Sequence, residues 1–100
     1  MPEVKHIALF QFKAASTPDQ IRATFDALGG MVGPIEGLMD FKYGPYDSAE
    51  GLNDGYTHAF IMTFDSPAAR DAYLPHPIHE EVKAFASLHL ERFVVFDFNV

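Results

Sequence analysis

No cysteine occurs in the chain, so neither a disulfide framework nor a thiolate zinc site is open to it, and the redox compartment stays undetermined. Basic residues are scarce: 7 Lys and Arg stand against 14 Asp and Glu, a net charge of −7, and the few cations are scattered. That balance opposes phosphate backbones and anionic membrane surfaces, so neither nucleic acid nor a membrane is expected as a partner. No apolar run approaches the roughly 18 residues of a spanning helix. Residues Met1-Pro2-Glu3-Val4-Lys5-His6 lack the basic and then apolar stretches of a secretory leader, which makes cytoplasmic residence the expectation. Gly-x-Gly-x-x-Gly, Walker-type and Gly-x-Ser-x-Gly patterns are missing too, leaving nucleotide binding and serine-nucleophile hydrolysis without support.

What is present is apolar and aromatic. Of the 100 residues, 48% are hydrophobic and 14% aromatic, enough to build one core but not two, and residues 1–100 are expected to form a single domain. From Val4 to Lys13 the side chains alternate, placing Val4, His6, Ala8, Phe10 and Phe12 on one face of a strand. Thr17-Pro18-Asp19-Gln20 then supplies a cap hydroxyl, a proline at the first helical position, an acid at the positive dipole end and a glutamine closing a capping box. Ile21, Phe25, Leu28 and Val32 follow as one helical stripe, ended by Gly29-Gly30 and Gly33-Pro34.

Leu38 to Tyr43 reads as a second strand, the stretch from Tyr46 to Gly55 as an exposed loop, and Tyr56 to Phe64 as a third strand. The loop acids Asp47, Glu50 and Asp54 lack the ordered ligand spacing of a calcium site. Ser66-Pro67 opens a short helical turn, Pro75 and Pro77 interrupt it, and a second helix runs from about Ile78 to Leu88. Phe93 to Phe98 closes the chain as a strand apolar on both faces. The order βαββαβ implies an α+β, ferredoxin-like protomer: a four-stranded antiparallel sheet with two helices on one face. The other face would be bare, carrying either His6, Ala8, Phe10, His58, Phe60, Phe93 and Val95 or the alternate set. A monomer rarely exposes so large an apolar patch, so a second copy is the expected cover, with a small-molecule pocket beside it.

Chemistry, if any, is expected where His58, His76 and His79 accompany Tyr56 and Tyr73. An imidazole titrates near neutrality and suits a general base, while a phenol can donate to a carbonyl becoming an enolate, which puts His79 and Tyr73 in those roles. The plainer alternative has the same pair bracing the proline-rich break through bonds to backbone groups. His6 and His58 sit on apolar strand faces, as pocket polarity or as cross-strand hydrogen-bond partners. His76 and His79 have the i, i+3 spacing of a metal pair but no defined third ligand beyond Glu80 or His58, and no metal is expected.

The segments Lys5 to Lys13, Gly51 to His58, Met62 to Phe64, and Tyr73-Leu74-Pro75-His76-Pro77-Ile78-His79 together resemble the stress-responsive dimeric α/β-barrel family over nearly the whole chain. The resemblance implies a ferredoxin-like protomer whose sheets meet in a homodimeric barrel. It also links the chain to members as different as a heat-stable plant stress protein and a plant polyketide cyclase. In the cyclase the tyrosine and last histidine of the Tyr-x-x-His-Pro-x-His segment are catalytic, and they match Tyr73 and His79. Its pocket matches His6, Ala8, Phe10, Thr24, Leu28, His58, Phe60, Val82, Phe93 and Val95. Thr24 and Leu28 replace aromatic residues there, so a different substrate is implied. The leading expectation is a non-catalytic stress or ligand-binding dimer for a small aromatic or polyketide-like molecule. The alternative is a cofactor-independent cyclase or lyase using Tyr73 and His79, and a lesser one is a cofactor-free monooxygenase acting on quinone-like substrates.

Overall fold

The computed structural model describes residues 2–100, and the elements run β1 Val4–Phe12, α1 Pro18–Gly29, β2 Leu38–Pro45, β3 His58–Phe64, α2 Pro67–Tyr73, α3 Pro77–Ser87 and β4 Leu90–Asn99. The capping box that opens α1 forms in full: the Gln20 N–H donates to Thr17 Oγ1 at 3.1 Å, and the Thr17 N–H donates to Gln20 Oε1 at 2.9 Å. Val32, expected on the stripe of this helix, lies beyond its end, where it bridges to Ile35. The helical turn expected after Ser66 is a seven-residue helix in its own right, capped by the Ser66 hydroxyl, so three helices rather than two lie on the sheet.

The strands are ordered β2-β3-β1-β4 and every pairing is antiparallel. On β1, His6 stands between Met62 and Asp97, Ala8 between Phe60 and Val95, and Phe10 between His58 and Phe93. These rows share one face because residues directly opposite in antiparallel strands point to the same side. That face packs against the helices: Val4, Ala8, Phe10, Phe60, Met62 and Phe64 join Phe25 and Leu28 of α1 and Tyr73 of α2 in one buried core. The bare face therefore carries the alternate set, with Ile7, Leu9 and Ile61 beside Val94, Phe96 and Phe98. Phe96 is 68% exposed. Both faces of these strands are apolar, so period-2 alternation identifies the two sets without saying which one the helices choose.

The loop between β2 and β3 is tied down by Arg92, whose guanidinium lies 4.1 Å over the Tyr56 ring and bonds to Gln11 Oε1 at 2.6 Å and to Asp54. No helix of the described residues is long and apolar enough to cross a membrane.

Where α1 leads into β2, Gly37 takes φ +85°, and a Cβ there would fall 2.4 Å from the Ala69 Cβ and 3.1 Å from Asp65 Oδ1. Gly37→Ala is expected to destabilise the fold by about 2–4 kcal/mol, combining left-handed strain with a clash that α2 cannot relieve without moving. Gly51 has φ +69° with open space around it, so Gly51→Ala is expected to lose only about 1 kcal/mol. Urea midpoints of the two variants check the contrast.

Candidate functional site

The site grows from a break in the chain. α2 ends at Tyr73, and Pro77 holds His76 in an extended conformation, φ −61° and ψ 134°, before α3 begins. The Ile78 N–H, which a continuous helix would give to the Leu74 carbonyl, donates instead to His76 Nδ1 at 3.1 Å. The Leu74 carbonyl is thereby free to take His79 Nδ1 at 3.0 Å. This contact brings the His79 ring under Tyr73, stacked with centroids 3.9 Å apart and planes 24° apart. A carbonyl only accepts, so His79 carries its proton on Nδ1 and keeps a lone pair on Nε2.

The sheet brings a second histidine to the same place. His6 of β1 lies 5.6 Å from Tyr73, edge to face, and its Nδ1 is 2.7 Å from Oδ1 of Asp97, its partner across β4. Oδ2 of Asp97 accepts from Arg70 Nη1 at 2.7 Å, which ties α2 to the sheet and compensates the carboxylate charge. In its neutral form His6 thus also carries its proton on Nδ1, with Nε2 free.

Tyr73 is 1% exposed, and burial, aided by the nearby Asp97 charge, pushes its phenol well above its ordinary range, so it remains a neutral donor. Its hydroxyl takes part in none of the side-chain hydrogen bonds. No buried polar side-chain atom among the described residues lacks a partner, so this hydroxyl opens onto the adjoining cavity. His79 titrates below the ordinary histidine value. Burial is the largest cause and outweighs the opposing Leu74 bond, with the Lys83 charge acting in the same direction as burial. It is therefore neutral, and able to accept a proton, at pH 7.

Tyr73, His79 and His6 line one cavity of about 350 Å³ between the sheet, α2 and α3. Of the residues expected in the pocket wall, His6, Ala8, Phe10, Leu28, Phe60, Phe93 and Val95 line it. Three do not. Thr24 is fully buried inside α1 and donates to the Gln20 carbonyl at 2.9 Å, and Val82 packs against the core. His58 lies beyond Phe25, which stacks on Phe10 at 5.8 Å and on Tyr43 at 4.3 Å, so His58 borders two other clefts and not this cavity. His76 is spent on the α3 cap, and no cluster of three or more metal-ligating side chains occurs among the described residues. Asp97, Arg70 and Lys83 were not singled out by sequence reasoning. The one available signal was an acid interrupting the apolar run of β4, and only the register pairs it with His6.

Fold and site together define a ferredoxin-like α+β domain with a polar-ended apolar cavity. The family model for the stress-responsive A/B barrel domain matches residues 4–100, and the chain belongs to that family. It is 35% identical to the stress-response A/B barrel domain-containing protein HS1 of Arabidopsis thaliana over 96 residues, covering 96% of this chain and 88% of that one. To olivetolic acid cyclase of Cannabis sativa it is 27% identical over 96 residues, covering 96% and 95%. Among solved structures, a dimeric ferredoxin-like protein of unknown function from Jannaschia sp. CCS1 superposes with a TM-score of 0.86 at 25% identity, covering 98% of this chain and 99% of that one.

Burial also depresses the pKa of His58, so two histidines resist protonation in the folded state. Unfolded histidine titrates near 6.5, and below that value the unfolded chain takes up protons that the folded chain rejects. Stability from this source is therefore complete above about pH 6.5 and falls as the pH drops through the window below it. Thermal melts at pH 7.5 and 5.5 should show a smaller acid loss for His79→Gln than for wild type, and an equal loss would contradict the assignment.

Proposed function

We propose that the protein binds a small carbonyl compound in this cavity and catalyses, without a cofactor, proton transfer at the carbon beside the carbonyl. This step is shared by aldol-type ring closure and its reverse cleavage. The observation that carries the reading is the convergence of two histidines, each with Nε2 free, and one unpartnered phenol on a single apolar cavity. His79 Nε2 takes the proton, and the C–H electron pair moves into the new carbon–carbon double bond, leaving negative charge on the carbonyl oxygen. The Tyr73 hydroxyl donates to that oxygen. The enolate carbon then bonds to a second carbonyl, and the resulting alkoxide recovers a proton from the imidazolium. His6, its ring oriented by Asp97, offers a second Nε2 lone pair to the cavity. The likeness to olivetolic acid cyclase supports a reaction of this class.

One observation favours a second reading. The stack of His79 on Tyr73 and its bond to Leu74 also brace the α2–α3 break, which a non-catalytic ligand-binding protein would need as well. The two readings separate on 4-phenylbutan-2-one in heavy water, followed by NMR. Catalysis should give deuterium uptake beside the carbonyl, reduced about 100-fold or more in Tyr73→Phe and in His79→Ala, with Asp97→Asn also impaired. Saturable binding with exchange at the background rate would establish the non-catalytic reading.

We further infer that the functional unit is a homodimer joined through the bare sheet face. Val94, Phe96 and Phe98 are too large an exposed apolar row for a stable monomer, and the Jannaschia neighbour is described as dimeric. Light scattering should return twice the chain mass of 11.2 kDa, and Phe96→Glu should shift it to the single-chain value without loss of helical signal. A wild-type monomer would overturn the inference.

A further inference from the structure

Lys83 is the one fully charged side chain in the cavity wall. It lies on α3 one turn beyond His79, and Ser87 follows one turn later, so the three form a polar row at i, i+4 and i+8 along the cavity. The opposite wall is apolar, with Phe10, Phe60, Phe93 and Leu28. Ser87 gives its hydroxyl proton to the Lys83 carbonyl, so it offers a ligand only lone pairs. The Asp97 charge behind His6 is matched by Arg70 at 2.7 Å. The one full charge an entering molecule meets in the lining is therefore the Lys83 ammonium, whose ion-pair partner, Glu80, lies outside that lining. The Lys83 side chain is 58% exposed, which sets the head group at the mouth while the aliphatic stem covers the wall. Glu80 reaches Lys83 at 3.0 Å, but it is 52% exposed and outside the cavity lining, and a solvated i, i+3 pair of this kind is weak enough for a ligand to displace.

We propose that Lys83 selects substrates bearing a carboxylate, which it holds at the cavity mouth while the reacting carbonyl lies deeper against Tyr73. This deepens the carbonyl-binding reading above and rests on it. One helical turn separates Lys83 from His79, about 6 Å along the axis, so a carboxylate held by the first and a carbonyl beside the second fit on one short carbon chain. The substrate class is thus an aryl or branched-alkyl keto acid. A single lysine suits a monoanion, whereas phosphate groups are usually held by several donors or a bidentate arginine.

The test uses the intact protein with 4-oxo-4-phenylbutanoate and its methyl ester, which share the aryl ketone and differ in charge. Wild type is expected to bind the acid about five- to tenfold tighter than the ester, the scale of one half-solvated charged contact. Lys83→Met should abolish that preference and leave ester affinity unchanged, Lys83→Arg should keep it, and Glu80→Gln, which frees the ammonium, should widen it. Equal acid affinity in wild type and Lys83→Met, with the ester still bound, would overturn the role of Lys83 and leave the cavity reading standing. Failure of both probes to bind any of the proteins would overturn the cavity reading and this proposal with it.

Discussion

Pro75 and Pro77 impose the constraint on which the site depends. Neither has an N–H to give, and while Leu74 before Pro75 stays helical, Pro77 holds His76 extended, so the chain cannot run from α2 into α3 as one helix. The interruption releases the Leu74 carbonyl to accept from another donor. The His79 ring is that donor, and reaching it fixes the tautomer, the stack on Tyr73 and the side of the ring left open to the cavity. A straight helix would have satisfied Leu74 through Ile78 and turned His79 elsewhere. Local backbone chemistry therefore decides the proton inventory of the site.

The Asp97 carboxylate plays the corresponding part on the sheet side. It is largely withdrawn from water, and an isolated carboxylate there would be strongly disfavoured, so its position requires both partners: the Arg70 guanidinium and the His6 N–H. Removing either leaves a poorly solvated charge, a penalty larger than the worth of the pair in water. The same contacts dock α2 on the sheet and orient His6, so that stability and site geometry share one set of bonds. On the helix side the balance runs differently. Burial of His79 outweighs the bond that would favour its cation, and the ring stays neutral at pH 7.

Local signals carried much of the fold. The cap at Thr17-Pro18 and the alternation from Val4 onward depend on residues close in sequence, and they correspond to α1 and β1 as built. His6, read as either pocket polarity or a cross-strand partner, is both. What could not be read locally was any feature depending on long-range register. His6 and Asp97 are 91 residues apart, and nothing in either segment announces the other. The choice of covered face was hidden because β1, β3 and β4 are apolar on both sides. Thr24, His58 and Val82 were placed in the wall by resemblance, which carries positions but not packing. Thr24 bonds to its own helix, and Phe25 shuts His58 out.

The cavity itself departs from ordinary packing, since protein interiors are filled nearly as densely as organic crystals. Small residues open it: Ala8 on the sheet and Ala86 on α3 are both almost fully buried and stand on opposite walls. If the 350 Å³ were a sealed dry void, the loss would be roughly 8 kcal/mol at about 24 cal/mol per Å³, comparable with the whole stability of a domain this size. A fold cannot sustain that loss. The space must communicate with solvent, and the half-exposed Lys83 and exposed Ser87 mark where it does. An apolar chamber of this size, open at one polar rim and carrying titratable groups on its inner wall, is stabilised further by whatever displaces its water. The same two alanines that weaken the core leave the room that the proposed ligand would fill.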